Sequence, residues 1–243
     1  MTPPTSTNVV VPPRYFSFKD FLSETEAATF FKLPHADQVI KVEQYLAFLG
    51  QQPNAAQFST SSKASISFAE LRKDFTVKTI ADNNKTHVLD VALLKQLLNG
   101  RTCSGFGAFG TAPGFLPQKR LSLSVGHIIE EIGHTYIVER NKRGSVTPPV
   151  LNSRSFFFYW CHAEKQKLMD IREKLTAKKI LPQLRCLYWQ RIVIMVDRVM
   201  CDDCIRFAEC LAHFEEAFIY IQDPDVTRVF SPSNTQQACR VLK

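Results

Sequence analysis

Apolar residues recur at helical spacing through the first hundred positions: Val39, Val42, Leu46 and Leu49 fall on one side of a helix, and Val88, Val91, Leu94 and Leu98 do so again. A polar stretch at 57–67 separates the two sets, so residues 15–117 are expected to form a mainly helical N-terminal region. Ahead of it, Pro3, Pro4, Pro12 and Pro13 stand among Thr, Ser and Val, a composition too poor in buriable surface to order itself, which makes 1–14 a disordered tail. Glycines and prolines crowd the end of the region, in Gly105-Phe106-Gly107-Ala108-Phe109-Gly110, Pro113-Gly114 and Pro117, and mark a boundary or a substrate loop.

Beyond 117 the periodicity alternates. Val125, Ile128, Ile129 and Ile132 predict a helix over 125–136 that passes into a first strand at 135–140. The run Ser155-Phe156-Phe157-Phe158-Tyr159-Trp160 suits a strand buried on both faces. Leu168, Ile171 and Leu175 predict a helix over 163–179, with Lys165, Lys167, Lys174, Lys178 and Lys179 as its solvated face. A β-branched strand at 191–199, a helix at 205–216 and a strand at 217–222 follow. Strands alternating with helices imply an α/β fold, a mixed or parallel sheet under helical cover, occupying residues 118–243.

With 243 residues, 45% of them hydrophobic, the chain can bury a full core without staples. It contains no apolar run near the roughly 20 residues that span a bilayer, and its start is polar and Pro-rich, so no membrane partner is expected and an intracellular place, cytoplasm or nucleus, is. Seven cysteines, an odd number, include the tight spacing Cys201-Asp202-Asp203-Cys204, which suits a metal or redox site in a reducing compartment better than a disulfide framework. Thirty basic against 23 acidic residues give +7, which favours a polyanionic partner without demanding one.

The chemistry concentrates in two short motifs, each expected where a strand hands over to a helix: His162-Ala163-Glu164 and Cys201-Asp202-Asp203-Cys204. One imidazole and two thiolates make a three-ligand zinc site whose fourth position stays open, the arrangement of catalytic rather than structural zinc. Helix starts on both motifs would favour the thiolate form of the cysteines. Glu164, two residues past His162, is placed as the proton shuttle. His-x-Glu followed by Cys-x-x-Cys is the signature of zinc deaminases, in which an activated water attacks the amine-bearing ring carbon while the glutamate moves protons. Taken singly, the Cys pair would equally fit a zinc knuckle or a redox pair. Met200 stands where such motifs usually carry Pro before the first Cys.

At these residues the chain resembles the DYW-type deaminases of organellar RNA editing and their fungal and bacterial relatives in the nucleic-acid deaminase superfamily. His162-Ala163-Glu164-Lys165 resembles that family's His-Ser-Glu-Lys, Arg198-Val199-Met200-Cys201-Asp202-Asp203-Cys204 its strand entering Cys-Gly-Asp-Cys, and Ile219-Tyr220-Ile221-Gln222-Asp223-Pro224 its next strand and acidic turn. The likeness spans about 125–232 and implies a three-layer cytidine-deaminase-like fold, zinc as cofactor, and deamination of cytosine to uracil in single-stranded DNA or RNA. No His directly follows Cys204 and no late Cys-x-Cys or terminal Asp-Tyr-Trp occurs, so one zinc and a stand-alone fungal-type or toxin-like enzyme are expected.

Substrate contacts are less defined. Asn152 lies in the loop before the aromatic run, where an amide would hold the sugar or base. Trp160, next to the ligand motif, either lines the pocket or belongs to the core. Arg140, Lys142 and Arg143, with Lys119, Arg120 and Arg154, form a candidate phosphate track. Cys161 is expected to be a buried thiol rather than a ligand, and Cys210 with His213 a core and surface pair. A free nucleoside or nucleotide deaminase, or a non-catalytic zinc-supported interaction domain, are the competing functions.

Overall fold

A computed structural model of the chain describes residues 14–15, 18–52, 55–56, 65–73, 80–82, 85–87, 89–134 and 160–232. In chain order the helices are α1 (Phe18–Phe21), α2 (Glu24–Thr29), α3 (His35–Gln51), α4 (Val91–Leu98), α5 (Gln118–Ile128), α6 (Ala163–Ala177), α7 (Pro182–Trp189) and α8 (Asp202–Phe214). Five strands, β1 (Ile66–Leu71), β2 (Thr102–Cys103), β3 (Ile192–Val196), β4 (Ile219–Gln222) and β5 (Thr227–Phe230), form one sheet in the order β2-β1-β3-β4-β5. Only β3 and β4 run parallel, joined through α8; the other neighbours are antiparallel. The expected α/β fold, a mixed sheet flanked by helices with a helical segment before it, is what the chain adopts. No described helix is long and apolar enough to cross a membrane.

Of the two helices that the periodicity marks, α3 buries the expected side, whereas α4 buries Leu93 and Leu97 and leaves Val91 exposed. Val39, Val42, Leu46 and Leu49 are all buried on one face of α3. Ser23 caps α2 in a reciprocal capping box with Glu26, which also pairs with Lys41 of α3. The helical segment is not set apart from the sheet. Residues 15–117 supply two of its strands, with Phe68 opposite Met195 and Ala69 opposite Ile194 in the β1–β3 ladder.

Several elements differ from expectation. The helix expected at 125–136 begins at Gln118 and ends at Ile128; Leu121, Val125 and Ile128 are its large buried apolar residues, and turns carry the chain on through Ile132. Gly133, at φ +67°, takes the left-handed conformation that closes such a helix end and turns His134 inward. Trp160, placed in a strand by its aromatic neighbours, is helical; the rest of that run and the strand expected at 135–140 lie outside the described residues.

The largest departure is α6. Lys165 and Lys167 are not on a solvated face; both are fully buried, because α6 packs against α4, α5, α8 and the sheet at once. Lys167 and the amide nitrogen of Gln166 are buried with partners. Lys167 donates to Asn99 O at 3.1 Å and Gly100 O at 3.0 Å beyond the end of α4, and pairs with Asp170 at 2.8 Å. Gln166 Nε2 donates to the carbonyls of Cys103, Gly105 and Cys161, stitching β2 and the glycine-rich loop to the turn that precedes α6.

Candidate metal centre

His162 is the N-cap of α6 and Cys201 the N-cap of α8, both with extended backbone and neither satisfying its helix with a side-chain cap bond. Two helix N-termini therefore open onto one spot. Cys204 lies one turn into α8, and Cys201 follows the carboxyl end of β3. The turn before it is fixed by Asp223, whose buried carboxylate accepts from Met200 N at 3.2 Å and from Asp225 N and Val226 N at 3.0 and 2.9 Å. On the other side, Thr102 Oγ1 donates to Ala163 O at 2.7 Å and anchors the first turn of α6 to β2.

These anchors bring the three expected ligands together. His162 Nδ1 lies 3.2 Å from Cys204 Sγ and 3.5 Å from Cys201 Sγ, and the three ligand atoms all fall within 4.8 Å of one another. A tetrahedral ion with arms of about 2.1 Å to nitrogen and 2.3 Å to sulfur has an N···S edge of about 3.6 Å, so this triangle fits such an ion with one position left open. Among the described residues it is the one group of this kind.

The electrostatics match a thiolate-bearing site. A hydrogen bond from Cys204, which outweighs burial, and the contact with His162 pull the Cys201 thiol down to about 4. Burial and the bond it gives to Cys201 push Cys204 up. Desolvation works against the charged imidazole of His162, yet its bond to Cys201 and the charges of Glu164 and Cys201 raise it overall. The pair thus shares one proton that a cation would displace. Glu164, in the first turn of α6 and 5% exposed, is close enough for its charge to act on both His162 and Cys204.

Of the other expected residues, Trp160 is fully buried; its ring blocks any Cβ at Gly126, with contacts down to 2.7 Å, and faces the His35 ring at 5.8 Å, so it supports the site from the core. Cys161 is buried with its thiol pushed up to about 12 by desolvation and is not part of the ligand triangle. Cys210 is buried and His213 exposed. Arg120 is engaged by Glu173, while Lys119 is exposed. Asn152, Arg140, Lys142, Arg143 and Arg154 lie outside the described residues.

Three residues not singled out from the sequence join the site. Lys165 and Asp203 form a buried ion pair between α6 and α8, and His134 Nε2 lies 3.3 Å from the other oxygen of Asp203. Against the cost of burial, His134 and Lys165 pull the Asp203 carboxyl down to about 2. Lys165 and Asp203 sat inside the two motifs all along; nothing in the sequence marks His134.

Residues 101–168 match the family model of the single-strand DNA deaminase toxin A C-terminal domain. The matched stretch runs from β2 through the glycine-rich loop and α5 into α6, so it contains His162 and Glu164 and stops short of Cys201 and Cys204. It points to nucleic-acid deaminases and does not single out the DYW-type branch. Among curated proteins searched, none matches the chain.

Proposed function

We propose that this protein is a zinc-dependent enzyme that hydrolytically deaminates cytosine to uracil in single-stranded nucleic acid. The observation that carries the reading is the convergence of His162, Cys201 and Cys204 at two helix starts, with the buried carboxylate of Glu164 beside them. The match of residues 101–168, His162 and Glu164 among them, to a single-strand DNA deaminase family supports the same reading. The likeness of both motifs to DYW-type deaminases belongs to the same reading.

Zinc, when bound by the three ligands, supplies an acidified water as the nucleophile. Glu164 would take one proton from the attacking water and deliver it to the ring nitrogen next to the reacting carbon, then take the second from the newly formed hydroxyl and hand it to the departing amine. One C–O bond forms and one C–N bond breaks; water is consumed and ammonia leaves. Asn152, Arg140, Lys142 and Arg143 are proposed to contact the substrate, the three basic residues as part of a phosphate track consistent with the +7 charge. Trp160 shapes the site from behind.

The test is incubation of the zinc-loaded protein with single-stranded DNA, single-stranded RNA, duplex DNA and free cytidine, followed by sequencing of the oligonucleotides and an ammonia assay. Cytosine-to-uracil conversion in a single strand, with cytidine untouched, is expected. Turnover of cytidine alone would replace the nucleic-acid reading with a free-nucleoside one, and no turnover with zinc bound would leave a zinc-supported interaction domain.

A further inference from the structure

The buried pair Lys165–Asp203 joins the same two helical turns that carry the metal ligands. Lys165 is one turn on from His162 at the start of α6, and Asp203 stands between Cys201 and Cys204 at the start of α8. Both side chains are nearly sealed from solvent, at 0% and 2% exposure. The pair is braced on its far side: His134 Nε2 reaches the second Asp203 oxygen at 3.3 Å, the His134 ring meets Phe207 edge-on at 5.6 Å, and the Lys165 ammonium lies 5.1 Å from the same Phe207 ring. The ammonium's charge also acts on the sulfurs of Cys204 and Cys201.

Stability alone does not account for such a pair, because apolar residues of similar volume in its place would hold a core together as well or better. A directional contact does what packing cannot: it fixes the rotation of α6 against α8, and with it the separation of His162 Nδ1 from the two thiolates. We infer that Lys165 and Asp203, oriented by His134, are positioning residues that set the geometry of the metal site. This rests on the zinc reading above. Partners of metal ligands that act in this indirect way typically change metal affinity by about 10- to 100-fold when removed.

Cobalt(II) titration of the metal-free protein, followed by thiolate-to-metal charge-transfer absorption and paired with thermal melting, tests the inference. The parent should bind one cobalt with thiolate bands; a parent without them would sink the zinc reading itself. Lys165→Met alone should lose both stability and cobalt, since it strands a buried carboxylate. The deciding variant is Lys165→Met combined with Asp203→Leu: melting should recover to within a few degrees of the parent, while cobalt binds about tenfold or more weaker and its bands shift. Parental affinity and bands in that refolded double variant would overturn the inference and leave the zinc reading standing. Asp203→Asn, which keeps shape and hydrogen bonding, carries the same test should the double variant not fold: a loss of about tenfold in cobalt affinity is expected, and unchanged affinity overturns the inference.

Discussion

His162 and Cys201 occupy the same position in two different helices, each the N-cap, and their ligand atoms meet at 3.5 Å. Because neither side chain caps its own helix, both are left to face the shared spot. The two helix starts also supply the positive potential that holds thiolates there. A metal held there would tie together two junctions that are far apart in the chain.

From that tie follows a stability prediction. Cys204→Ala should lower zinc from about one per chain to a small fraction and lower the melting temperature by several degrees, since metal binding energy is folding energy for such a site. Elemental analysis and melting of the same preparation check it. Full zinc in the variant would remove Cys204 from the ligand set.

Cys201 gives a pH prediction. Its folded pKa of about 4 lies below the ordinary thiol value near 9, so in the metal-free protein it stays thiolate from neutral pH down to about 4 and is protonated only below that. Alkylation at pH 6, mapped by mass spectrometry, should label Cys201 ahead of the other described cysteines, and added zinc should suppress it. Cys161, pushed up to about 12 and buried, should remain unlabelled.

Gly126 permits the close approach of α5 to Trp160. Gly126→Ala would place a methyl 2.7 Å from the indole ring and should cost about 1–3 kcal/mol through overpacking, read by urea or thermal unfolding. Trp160→Phe in the same background should recover part of the loss.

Lys142→Glu with Arg143→Glu should weaken oligonucleotide binding and flatten its dependence on salt, leaving zinc content unchanged, because phosphate contacts act through counterion release. An unaltered slope of log affinity against log salt would take these two residues out of the track.

Local signals were legible in the sequence and long-range ones were not. The spacings His-x-Glu and Cys-x-x-Cys each fix their residues within one helical turn, so the ligand triangle followed once both were seen to start helices. The buried face of α3 was equally plain in Val39, Val42, Leu46 and Leu49. By contrast, Ile66–Leu71 is a short segment next to a polar stretch, made a strand by its pairing with Ile192–Val196 from the far half of the chain and with Thr102–Cys103. Thr227–Phe230, too short to carry a period, is likewise fixed by pairing with Ile219–Gln222. Pro182–Trp189 did carry a readable signal, Pro at its first turn. Lys165 and Lys167 look like solvent-facing charges because periodicity registers polarity, not the Asp203 and Asp170 that wait for them in the fold.

The central claim is that Glu164 moves the protons of a deamination at this metal centre, and the most direct measurement is turnover of a single-stranded cytosine-containing oligonucleotide by Glu164→Gln against the parent, with zinc content measured on both. The substitution keeps shape and removes the carboxylate, so zinc and oligonucleotide binding should persist while the rate falls by about 10²- to 10⁴-fold, the worth of general acid–base catalysis. Comparable rates in the two proteins, with zinc equal in both, would contradict the account.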